Sequence, residues 1–197
     1  MISKRIKFIL YFVLCAVQLS VPVLQILKFE DVLRSGSAYK LRTAPVDPYD
    51  AFRGRYVALN YKDTKAKIKT GEKIEYEAPA YVTLQMDKDG FAQYVELTKV
   101  QPLYGDFLRV ADCYMGYGEE NALAHFNLPF DRFYMEESKA PRAETAYREH
   151  VKRRDDVETS AYVVLRVKDG RGVIEDLYID NMPIREYLKK SAEILQK

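Results

Sequence analysis

The chain has 197 residues, 48% hydrophobic and 30% charged, which excludes a disordered polymer and suffices for one domain with an accessory segment. Three of its 31 basic residues, Lys4, Arg5 and Lys7, stand at the N-terminus, so from residue 28 onward 28 basic side chains face 29 acidic ones. That near-neutral balance leaves no electrostatic footprint for nucleic acid.

Phe8 to Leu27 carries no charge over twenty residues. At 1.5 Å rise this run spans roughly 30 Å, the thickness of a hydrocarbon core. In lipid every backbone amide bonds internally, so the run is predicted to be helical, and Pro22 is tolerated in such a helix. Lys4, Arg5 and Lys7 precede it, which places the N-terminus in the cytoplasm and the rest beyond the membrane. An uncleaved anchor is favoured over a signal peptide because no small-residue cleavage pattern ends the run. It is favoured over a core helix by length and lack of charge. Phe29, Val32 and Leu33 keep helical spacing to Gly36, a candidate C-terminal cap. They predict two further turns that dock on the head.

Beyond the anchor the pattern is that of strands. Sixteen Tyr and nine Phe with no Trp suit a pleated core. Ala38 to Arg42 reads as a short strand. Pro45 and Pro48 mark a polar turn. Tyr56 to Tyr61 then alternates as one strand, with Tyr56, Ala58 and Asn60 on one face and Val57, Leu59 and Tyr61 on the other. Lys62 to Gly71 reads as a solvated loop and an edge strand guarded by lysine. Two hairpins follow, Ala80 to Val100 and Ala161 to Ile179, each turning at Asp-Gly and sharing Ala-Tyr-Val-x-Leu. The shared pattern suggests a duplication and two strand units packed together. Asp106 to Cys113 and Ala122 to Leu128 are further strands around a turn at Gly116. Pro141 to Val157 has helical spacing, with Arg148, Lys152, Arg153 and Arg154 set against Asp155, Asp156 and Glu158 as a solvated face. Pro183 to Gln196 reads as an amphipathic helix at the periphery.

The stretch Gly54-Arg-Tyr-Val-Ala-Leu-Asn-Tyr61 resembles the signature of the GDYXXLXY family of bacterial proteins. Gly54, Tyr56, Leu59 and Tyr61 fall on its fixed positions, and Arg55 stands where the family's name has Asp. Pro45, Asp47, Pro48, Phe52 and Arg53 resemble the family's lead-in, and Phe133-Tyr-Met-Glu-Glu137 with Glu144 its later segment. The resemblance implies a membrane-anchored protein beside a multi-pass membrane partner, and no particular reaction. No carboxylate role carries over to Arg55.

Candidate binding residues are Asp47, Asp50, Arg53, Arg55, Tyr56, Tyr61 and Glu136. Asp47, Asp50, Glu136, Glu137 and Glu144 could pair for acid–base work. Against this, Asp47 and Asp50 suit the capping of turn amides around Pro48. Arg53 and Arg55 share a side of extended chain and could clamp an anion or pair with those aspartates. Tyr56 and Tyr61 fall on opposite faces, so at least one belongs to the core. Signal peptidases also start a strand with Gly-Asp just outside a membrane helix. Here Val46 or Pro45 occupies the nucleophile's place, and neither has a hydroxyl. His125 and His150 stand alone, Cys15 lies within the apolar run, and Cys113 reads as a small buried residue. No catalytic set, metal site or cofactor is read from the chain.

The expected architecture is mainly β, of the α+β kind. A single transmembrane helix precedes an antiparallel β domain with two hairpin units, one inserted helix and a C-terminal helix. Residues 1–36 form the tip, anchor and juxtamembrane helix, 37–180 the extracytoplasmic domain and 181–197 the final helix. The functional expectation is an accessory or binding module of the inner membrane. It is held in the bilayer through Phe8 to Leu27 and partners a membrane protein. A tethered hydrolase using acidic residues and a small-ligand sensor are the alternatives.

Overall fold

The computed structural model describes residues 3–44, 56–72, 74–75, 78–115, 123–152 and 161–195. Helix α1, Lys4–Ser35, starts where the Ser3 side chain accepts from the Ile6 amide at 3.4 Å and runs through Pro22 without a break. Its 32 residues extend ~48 Å. The helix is long and apolar enough to cross a membrane, and none of its most apolar stretch is buried against the head. Phe8, Phe12, Leu19 and Ile26 are all more than half exposed, an apolar surface that proteins in water rarely leave uncovered.

The helix meets the head at its last turn. Val32 is its one buried residue. The Gly36 amide donates to the Val32 carbonyl at 2.8 Å, and strand β1, Ser37–Ala44, begins at the next residue. Gly36 is needed here for space rather than for a left-handed backbone, since its φ is −73°. A Cβ there would lie 2.5 Å from the Val32 carbonyl oxygen and 3.0–3.1 Å from the Val167 backbone. The Lys168 ammonium adds bonds to Asp31 at 2.7 Å and Ser35 at 2.8 Å. Arg166 donates to the Gly36 carbonyl at 3.3 Å.

The remaining strands are β2 (Tyr56–Ala58), β3 (Asn60–Tyr61), β4 (Lys65–Ile68), β5 (Ala80–Met86), β6 (Ala92–Thr98), β7 (Phe107–Met115), β8 (Leu123–Asn127) and β9 (Arg132–Tyr134). They are followed by helix α2 (Ala140–Lys152), strands β10 (Ala161–Lys168), β11 (Arg171–Ile179) and β12 (Met182–Pro183), and helix α3 (Ile184–Leu195). Strands β12-β11-β10-β1-β3 form one antiparallel sheet. Strands β4-β6-β5-β7-β8 close into a barrel, antiparallel except for β4 beside β6. The two hairpins therefore serve different sheets. One hydrophobic cluster runs through both layers, from Leu41, Leu165 and Leu177 to Val82, Leu97 and Phe126.

Mainly antiparallel β structure with further helices is thus the observed class. Several local expectations change. Tyr56 to Tyr61 is two strands: β2 pairs with β9 and β3 with β1. Val57, Ala58 and Leu59 are all buried, so the strict alternation breaks where the chain passes from one sheet to the other. Strand β4 has a partner on each side and is no edge; Ala66 faces inward while Lys65 and Lys67 are exposed. Strand β9 overlaps Phe133 to Glu137, a segment for which the sequence pattern predicts no strand. Helix α2 buries Ala143, Tyr147 and Val151 at successive turns, and residues 153–157 of the expected helix lie outside the described residues. Helix α3 buries Ile184 and Leu188, and Pro183 belongs to β12 instead.

The crowding at Gly36 yields a first expectation. Gly36→Ala forces apart two backbones that cannot shift independently, at a cost of about 1–3 kcal/mol. The thermal midpoint of the detergent-solubilised protein should fall by on the order of 2–10 °C. An unchanged midpoint would mean that the helix–sheet joint is loose.

Candidate functional site

Of the predicted site residues, Asp47, Asp50, Arg53 and Arg55 lie outside the described residues; Tyr56, Tyr61 and Glu136 lie within them. The tyrosines converge on one segment of chain. The Tyr61 hydroxyl donates to the Phe130 carbonyl at 2.6 Å, and burial pushes its phenol well above the ordinary value. The Leu59 amide donates to the Asp131 carbonyl at 2.9 Å. Tyr56 sits opposite Tyr134 across β2 and β9, ring centroids 5.7 Å apart. The Arg132 guanidinium lies 5.0 Å above the Tyr56 ring, within cation–π range. Tyr61 is therefore the core member of the pair and Tyr56 the surface one. Together with Leu59 they hold residues 130–134 in place.

That segment is one wall of a groove of about 630 Å³ at the foot of the head. Residues Gly172 to Glu175 of β11, Arg185 of α3 and Phe29 of α1 complete the lining. Gly172 lets the wall close, because a Cβ there would stand 2.5 Å from the Phe130 ring. Phe29 is two residues past the uncharged run, so the groove opens where α1 would leave a bilayer. Its charges are mixed. Arg132 is 3.5 Å from Asp131, and a hydrogen bond to Tyr134, followed by that carboxylate, raises its pKa further. Glu175 is held by Arg166 at 2.7 and 3.2 Å.

Glu136 pairs with a lysine of its own segment. It is exposed and bonded to Lys139 and Ser138, which hold its carboxyl below the ordinary value, Lys139 foremost. Glu144 bonds to Arg148 at 2.6 Å, so that arginine is matched within its own helix. Among the described residues no group of three or more His, Cys, Asp or Glu could hold a metal ion. His150 is 3.0 Å from Asp180, and His125 stacks on Tyr114 at 5.3 Å. Cys15 and Cys113 are both free. Burial, and then Asp112, push the Cys113 thiol up, which suits an inert core residue. The groove residues Phe130, Arg132, Gly172 and Arg185 were not singled out from sequence. The available signal was Gly172, a glycine inside a hairpin arm, which often marks close approach of another chain segment.

A single apolar helix carrying a β-rich head, with a groove at their junction, defines the class of protein. The family model for GDYXXLXY proteins matches residues 18–177, and the chain belongs to that family. No curated protein and no solved structure matches it.

Tyr61→Phe leaves the Phe130 carbonyl without its donor and should destabilise the head by about 1–3 kcal/mol, read as a lower denaturant midpoint. A variant as stable as the parent would show that the hydroxyl does not hold the wall. Asp176 offers a pH test. Burial is the main cause that raises its carboxyl above the ordinary 3.8, with a backbone bond from Leu177 opposing. A raised acid pKa means that the unfolded chain ionises first. The native state is unpenalised below pH 3.8 and loses stability as pH rises through the folded value. Asp176→Asn should therefore gain thermal stability over the parent at pH 7 and lose that advantage near pH 4. An advantage independent of pH would contradict it.

Proposed function

We propose that this protein is an accessory module tethered to the cytoplasmic membrane, with its head on the outer side, which engages a membrane protein through the groove. The observation that carries the reading is the position of the groove. One wall comes from the anchor helix itself, through Phe29, and the others from the head. A polypeptide emerging from the bilayer beside α1 would meet this groove first.

Three further features support it. Lys4, Arg5 and Lys7 precede the span and no acid appears before Glu30, the charge asymmetry that retains an N-terminus in the cytoplasm. The groove offers Phe29 and Phe130 for apolar contact beside Arg132 and Arg185, and aromatic and arginine side chains are enriched at binding interfaces. The described part of the family signature, Tyr56 to Tyr61, holds one groove wall, which supports a binding surface built around that wall.

A photo-crosslinking residue at Tyr134, exposed on that wall, should yield a discrete adduct with an integral membrane protein in intact cells. The same residue at Tyr114, at the far end of β7, should not. Lipid adducts alone at Tyr134 would sink the partner reading, and a cytosolic C-terminal reporter would sink the orientation.

A further inference from the structure

We propose that the loop between β6 and β7 is a second membrane contact, with Leu103 and Tyr104 seated in the interfacial layer of the bilayer that α1 crosses. The proposal rests on the anchored reading above but not on any protein partner. Its starting point is composition. Val100-Gln-Pro-Leu-Tyr-Gly105 carries no charge, in a chain that is 30% charged. Its large side chains are turned outward: Val100 is 72% exposed, Leu103 89% and Tyr104 88%. Outside the anchor these are the three most exposed large apolar residues among those described, and they share one tip.

The loop is tied to the membrane end of the head. Phe107, the first residue of β7, lies under the β10–β11 turn, where a Cβ on Gly170 would stand 2.6 Å from its ring. The Arg109 amide donates to the Gly170 carbonyl at 3.0 Å. That same turn carries Lys168, bonded to Asp31 and Ser35 of α1 at 2.7 and 2.8 Å. On the loop's own side, Tyr39, two residues into β1, donates to Asp106 at 2.8 Å. Asp31 stands only ~6 Å along the helix axis past Leu27. Tyr104 is three residues from Phe107, a reach of at most ~10 Å. A headgroup layer extends roughly 5–8 Å beyond the hydrocarbon on each side, so the tip lies within reach of it.

The chemistry fits that layer. Tyrosine is enriched at membrane–water interfaces, where its ring sits among headgroups and its hydroxyl stays hydrated. Leucine beside it adds apolar area. Gly105 reverses the chain at φ +80° with nothing within 4 Å, so the tip can turn toward lipid without disturbing the barrel. Lys99, at the loop's start, is held by Glu72 and Glu75 on the head.

The chain contains no tryptophan, so Tyr104→Trp creates a single reporter at a position where the side chain is 88% exposed and folding is undemanding. The full-length variant would be reconstituted into phosphatidylcholine–phosphatidylglycerol vesicles whose acyl chains are brominated near the headgroup. The expected result is blue-shifted emission that loses roughly half or more of its intensity to the brominated lipid, as for an interfacial aromatic. Tyr114→Trp, about 23 Å further along β7, should emit as a hydrated residue and be quenched by aqueous iodide alone. Leu103→Trp repeats the measurement one position away. Emission from Tyr104→Trp that is insensitive to bromine overturns the proposal, whether iodide reaches it, as in water, or is shielded from it, as under a protein cover. Flotation of the same vesicles separates the failures. A variant that floats without bromine quenching removes the loop contact alone, and one that does not float removes the anchor with it.

Discussion

The head's position relative to the membrane depends on a single close approach. Helix α1 ends and β1 begins with Gly36 between them, where a Cβ would collide with the Val32 carbonyl and the Val167 backbone. No linker intervenes. A flexible connection of several glycines and serines would let the head wander over distances that grow with the square root of its length. Here β1 begins two residues after α1 ends, and Lys168 and Arg166 pin the junction from the neighbouring strand. Every feature at the foot of the head inherits its height above the bilayer from that joint.

The family signature acquires a physical meaning in this setting. Tyr61 buries its hydroxyl on the Phe130 carbonyl, Leu59 donates its amide to Asp131, and Tyr56 packs on Tyr134 and Arg132. The two tyrosines differ by an odd number of positions, and a continuous strand would aim them at opposite faces. The break between β2 and β3 lets both serve the same neighbouring segment. β2 binds β9 directly, while β3 joins the large sheet and sends the Tyr61 hydroxyl across. Tyr56 to Tyr61 thus form a clasp between the sheet and the segment that walls the groove, and a clasp requires these side chains whatever the groove engages.

Much of this was legible from the chain because the signals were local. The uncharged run from Phe8 to Leu27, the Asp-Gly turns of both hairpins and the spacing of Ala143, Tyr147 and Val151 report on structure within a few residues. What escaped was non-local. Strand β9 has three residues, too few for a period, and exists because β2 pairs with it. Strand β4 looked like an edge because lysines alternate along it, yet the barrel closes through it and those lysines simply face water. The groove brings together residues 29, 130–134, 172–175 and 185, and no spacing rule links them. Of the candidate carboxylates, Glu136 is engaged by Lys139 three residues away, while Asp47 and Asp50 lie outside the described residues.

A head fixed to its anchor at one point could still rock about the helix end. A second contact through Leu103 and Tyr104 would remove that freedom, because two separated attachments to one plane leave only rotation about the line joining them. The groove and the start of β7 both flank the β10–β11 hairpin, the groove against β11 and the first residues of β7, just past the loop tip, against its turn. Pressing the tip into lipid would therefore restrict the depth of the groove, where the proposed partner would meet the same few residues each time. Such pre-positioning lowers the orientational cost of association without adding a contact. It suits a module whose head, near neutral in charge, has little long-range electrostatic steering of its own.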